Sequence, residues 1–126
     1  MKLNIDCMRD ILLTVEQANY EETLTFNTLH ERIPNYSKED LHYCIVKLDE
    51  AGLLEVNTVA VMRQHIPAIK SIHYLTMRGH EFLENIKSDN VWNKTKNVAK
   101  NVGSFSINTI KDISVGVISE LIKLNL

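Results

Sequence analysis

The chain is poor in everything that breaks, staples or anchors a fold. Its 126 residues include two prolines, four glycines and two cysteines, and aromatics make up 6%. So few breakers leave little material for the many tight turns of a β-sandwich, and they favour helices. Cys7 and Cys44 form no CxxC pair, and two thiols do not make a disulfide framework. A reduced, cytoplasmic protein is the expectation. No run of 18 apolar residues occurs, so no membrane-spanning helix is expected. The segment from Met1 to Asp6 lacks the apolar core of a signal peptide. A large excess of one charge is missing too. Basic residues number 14 and acidic residues 16, a formal net charge of -2, which excludes a protein that coats nucleic acid by charge alone. No internal repeat or low-complexity tract appears.

What is present is a core and an uneven distribution of charge. Hydrophobic residues make up 44% of the chain, enough for one packed domain. Residues 1–88 hold 9 basic and 13 acidic side chains, whereas residues 89–126 hold 5 and 3. The composition also shifts there to Asn, Lys, Val and Ser. A boundary near Ser88 therefore divides a domain, 1–88, from an extension, 89–126.

Periodicity places the elements. Ile5, Met8, Leu12 and Val15 share one face of a first helix, capped at Asn4 or Asp6 and running to about Ala18, with Cys7 on its rear. Thr25 caps a second helix from Phe26 to about Arg32, and Pro34 stops it. Ser37 opens a third helix in a capping-box arrangement, with Asp40 in the place of Glu. Its inner stripe is Leu41, Cys44, Ile45 and Leu48, and Gly52 ends it. Leu53 to Met62 reads as a strand, Arg63 to Lys70 as a loop and Ser71 to Leu75 as the return strand. Thr76 caps a fourth helix from Met77 to about Lys87. Three helices, a two-stranded hairpin and a fourth helix make an α+β, mostly helical fold in the order of a winged helix-turn-helix.

Two segments carry a family resemblance. One is Leu48-Asp49-Glu50-Ala51-Gly52-Leu53-Leu54, and the other runs from Tyr74-Leu75-Thr76 through Gly79-His80-Glu81-Phe82-Leu83. Together they look like many bacterial winged-helix regulators, distantly including those of the MarR type. With the N-terminal MKLNIDCMRDILLTVE, the chain more closely resembles a family of short, uncharacterised winged-helix proteins common in phages and prophages. The resemblance covers about residues 1–92 and implies the fold without an activity. The motif residues themselves read as scaffold: Gly52 turns helix into strand, Thr76 caps, and Gly79 allows a close approach.

Signals for catalysis are absent. His30, His42, His65, His73 and His80 show no ligand spacing, and neither HExxH nor a phosphate-binding glycine loop occurs. No metal, no cofactor and no enzymatic activity are expected. Double-stranded DNA is the first candidate partner. The hairpin tip holds Arg63, Gln64, His65 and Lys70, with no acid between Val56 and His80. The exposed face of the third helix is expected to present His42, Tyr43, Val46 and Lys47 beside Glu39 and Glu50. Its segment 38–51 carries two Lys against four acids, which disfavours duplex recognition and suits a protein partner. In the extension, Ile110, Ile113, Val117, Leu121 and Leu124 form an amphipathic stripe. It is expected to join two copies into a dimer. Packing on its own chain, on another protein or on a membrane surface are the alternatives, the membrane being unlikely.

Overall fold

A computed structural model describes residues 1–126. The chain forms two compact units, Met1–His80 and Glu81–Leu126. The dividing point lies inside the fourth helix, whereas composition shifts after it, near Ser88.

The first unit contains α1 (Ile5–Glu16), α2 (Phe26–Arg32), α3 (Lys38–Glu50), β1 (Leu54–Val59), β2 (Ala68–Leu75) and the start of α4 (Met77–Ile86). Each of the first three helices begins on a polar side chain that accepts a free backbone N–H. Asn4 accepts from Cys7, Thr25 from Thr28 and Ser37 from Asp40, each at 3.1 Å. Such a cap stabilises a helix by about 1 kcal/mol. After α3 the chain turns through Gly52 at φ +74°. There the Gly52 N–H donates to Asp49 O and the Leu53 N–H to Leu48 O, both at 3.0 Å, which satisfies the last carbonyls of the helix. α1 packs against α3 and β2, and its fully buried Ile11 and Leu12 join Leu41, Ile45 and Leu48 in the core.

Two positions of the helical pattern differ from expectation. Cys7 is fully buried and forms a thiol hydrogen bond with Cys44, so it faces the core rather than the rear of α1. That bond and then burial push the Cys7 thiol far above its ordinary range. Val46 on α3 is 6% exposed and is not part of an outer face. α3 is covered on more than one side, because it meets α1, α2 and β1.

The hairpin departs most from a simple pattern. β1 ends at Val59, earlier than expected, and β2 begins at Ala68, so Lys70 belongs to a strand and not to the loop. The strands are antiparallel, with Leu54 opposite Leu75, Val56 opposite Ile72 and Thr58 opposite Ile69. Six residues of β1 therefore face eight of β2, and the two extra residues are Lys70 and His73. These are β-bulges. They change the inward spacing along β2 from two residues to three, so that Ile69, Ile72 and Leu75 all oppose inward residues of β1. Leu24 adds an isolated antiparallel bridge to Ile72.

The second unit contains the rest of α4, then α5 (Asp89–Val102) and α6 (Ile107–Leu124). Ser88 caps α5 and Ser106 caps α6, and Gly103 at φ +84° closes the turn between them. α5 and α6 pack against each other as a helical hairpin. Val91, Trp92, Thr95 and Ala99 are buried on α5, and Ile110 and Ser114 on α6. Ile110 is 1% exposed, so it packs within its own chain and is not available to a second copy. No helix is long and apolar enough to cross a membrane.

Candidate nucleic-acid interface

The hairpin places Arg63, Gln64 and His65 side by side in its loop, all exposed. The Gln64 N–H donates to Val61 O at 3.1 Å and closes a tight turn. Within that turn Arg63 has φ +67°, the left-handed region that favours glycine. Lys70 is exposed on β2 at the first bulge, separate from the loop. Arg78 adds a third cation, its guanidinium lying about the Cα of Gly52 at the end of α3. A cation is well placed there, because a helix C-terminus carries partial negative charge.

Next to Arg63 the tip of the hairpin exposes apolar side chains. Val59 is 47% exposed, Val61 39% and Met62 87%. The strand expected to run on to Met62 ends at Val59, so the sequence did not reveal Val61 and Met62 as part of an apolar tip. The only sequence signal was an unusually apolar run leading into a charged turn.

The α3 face is largely committed to its own neighbours. His42 is half-buried, and its Nε2 lies 2.7 Å from Pro67 O. Lys47 donates to Glu50 at 2.8 Å and sits 5.3 Å from the ring centre of Tyr43. The bond to Glu50 raises the pKa of Lys47 and holds its charge beside an acid. Asp49 is raised as well, by burial and by the nearby Glu55 and Glu50. Glu39, Asp40 and Glu50 remain exposed. Of the four side chains expected to form an outer face, Val46 is buried and His42, Tyr43 and Lys47 are partly engaged.

Between α2, α3 and β2 a cleft of about 230 Å³ is lined by Phe26, His42, Ala68 and Ile69. The Phe26 ring stacks on His30 at 6.5 Å and meets His42 edge-on at 5.9 Å. His30 contacts Tyr36 O at 3.0 Å, and His73 contacts Ser71 Oγ at 2.9 Å. Each of these histidines thus has a local polar partner. No three His, Cys, Asp or Glu side chains converge as metal ligands.

In the second unit, Ile113, Val117 and Leu121 are half-buried and Leu124 is 78% exposed. Part of the stripe is therefore spent on α5. The remainder lines a cleft of about 320 Å³ together with Lys94, Asn97, Val98 and Glu120.

Fold and surface define a small, mostly helical α+β protein with a cationic hairpin and an apolar helical hairpin. The chain belongs to the DUF2513 family, described as hypothetical proteins, whose profile matches residues 2–106. That match ends on Ser106, the cap of α6. A Haemophilus influenzae protein described as uncharacterized is 29% identical over 123 residues, covering 97% of this chain and 99% of its own length. No solved structure matches.

Proposed function

We propose that the helices and hairpin up to Ser88 form a winged helix-turn-helix, and that the hairpin is a wing that binds double-stranded DNA. The chain is then a small, non-enzymatic, cytoplasmic regulator of phage or prophage type, distantly similar to MarR-type proteins. In this reading it acts as a homodimer joined through its C-terminal helices. The observation that carries the reading is Arg63. It stands exposed at the tip of an acid-free stretch, in a backbone conformation that costs a non-glycine residue about 1–2 kcal/mol. A residue kept against its backbone preference points to a use for its side chain. A guanidinium at a hairpin tip suits phosphate oxygens, and Lys70 on β2 adds a second cation to the hairpin.

A second reading is a winged helix used as a protein-interaction module. It is favoured by the paired Lys47 and Glu50 on α3 and by the exposed Val59, Val61 and Met62. An electrophoretic shift assay on random duplex at low salt separates the two. DNA binding by the wing predicts a shift with the natural protein. Arg63→Ala with Lys70→Ala should weaken it equally across sequences and flatten the salt slope by about one unit per lost phosphate contact. Glu39→Gln with Glu50→Gln should tighten it. No shift with the natural protein, or unchanged affinity in both double variants, overturns the wing reading.

A further inference from the structure

We infer that the cleft between α5 and α6 seats the same face of a second copy, with Lys94 of each chain paired to Glu120 of the other. This rests on the reading of the C-terminal helices as the self-association surface, and is independent of DNA binding.

The cleft has an apolar floor and a charged rim. Val98, Val117, Leu121 and Leu124 supply the floor, with Val98 still 41% and Leu124 78% exposed. The rim is asymmetric in charge. The α5 wall carries Lys94 and Asn97, and the α6 wall carries Glu120. Neither Lys94 nor Glu120 forms an ion pair within its own chain.

That asymmetry identifies the occupant. A two-fold axis through the cleft lays the α6 wall of one copy against the α5 wall of the other. Lys94 then meets Glu120 twice, once on each side of the axis. Leu121 and Leu124 of each copy enter the apolar floor of the other, and two helical hairpins become a four-helix bundle. A surface with cation on one wall and anion on the other is complementary to itself. An unrelated partner would have to reproduce both charges across the same apolar width.

Charge reversal in the full chain tests this, read by sedimentation equilibrium over a range of concentrations, with circular dichroism confirming the fold. Lys94→Glu alone places two like-charged acid pairs in the dimer, and Glu120→Lys alone places two cation pairs. Each should weaken self-association by about tenfold or more. Mixing the two variants restores both pairs across the axis, so the mixture should dimerise as the natural protein does. Pairing within one chain could not be repaired by mixing. A natural protein that is monomeric throughout overturns the dimer and the cleft together. A natural dimer that neither reversal weakens leaves the dimer standing and overturns the cleft. Single variants that lose the dimer and stay apart when mixed overturn the cross-chain pairing.

Discussion

His42 Nε2 lies 2.7 Å from the carbonyl oxygen of Pro67, joining the middle of α3 to the loop end of the hairpin. A carbonyl can only accept, so Nε2 carries the proton. The edge of Phe26 meets the same imidazole. His42→Ala should destabilise the protein by about 1–2 kcal/mol, through the lost bond and the uncovered carbonyl. Amides from Gln64 to Ala68 should exchange faster, and His42→Gln should recover part of both effects. Urea unfolding with hydrogen exchange checks this. A loss of stability without faster exchange in the loop would mean that His42 only fills space.

Gly79 offers a sharper steric test. A Cβ at this position would stand 1.9 Å from the Leu53 carbonyl oxygen, which is backbone and cannot rotate away. The helix approaches this closely because Thr76 ties the two segments together, donating to Gly52 O at 2.5 Å while accepting from the Gly79 N–H at 3.0 Å. Gly79→Ala should therefore cost about 1–3 kcal/mol despite the better helix propensity of alanine. Gly116→Ala, with open space around it, serves as the control and should be neutral or stabilising. Thermal unfolding of the two variants side by side decides it.

Tyr36 gives a pH dependence of known sign. Its hydroxyl donates to Asp10 Oδ2 at 2.6 Å. Burial first, then that bond and the Asp10 charge, raise the phenol above its ordinary value of 10.0. The folded chain thus holds this proton more tightly than the unfolded chain does. The contribution is complete below about pH 10 and is lost as pH rises through the higher folded value. Tyr36→Phe should cost about 1–2 kcal/mol at neutral pH and make the alkaline fall in stability shallower. Equal slopes for both proteins above pH 10 would contradict the assignment.

Helix boundaries were legible because they depend on local chemistry. Asn4, Thr25 and Ser37 cap where their side chains suggest, and Gly52 ends α3 where a left-handed residue is needed. The return strand was less legible. Its inward residues, Ile69, Ile72 and Leu75, are three apart, a spacing no regular strand has. Only pairing with β1 reveals that Lys70 and His73 are extra. Val46 was misplaced because a single stripe was assumed for a helix that three elements cover. The division of the C-terminal stripe was also hidden. Nothing local says that Ile110 faces α5 while Leu124 faces outward. Of the candidate site, the loop cations could be named from sequence, but the left-handed setting of Arg63 could not.

The bulges at Lys70 and His73 bear on how this chain avoids its own kind in a crowded cell. A two-stranded sheet has two outer edges, each a template on which another strand can grow. Along β2 the bulges interrupt the even spacing of free donors and acceptors, and the Leu24 bridge occupies Ile72. A regular strand cannot zip along that edge for more than a few residues. The edge of β1, uninterrupted but only six residues long, is the shorter exposure. Irregular pairing thus lets the hairpin display Val61 and Met62 at its tip while denying neighbouring chains the continuous backbone ladder on which fibrils begin.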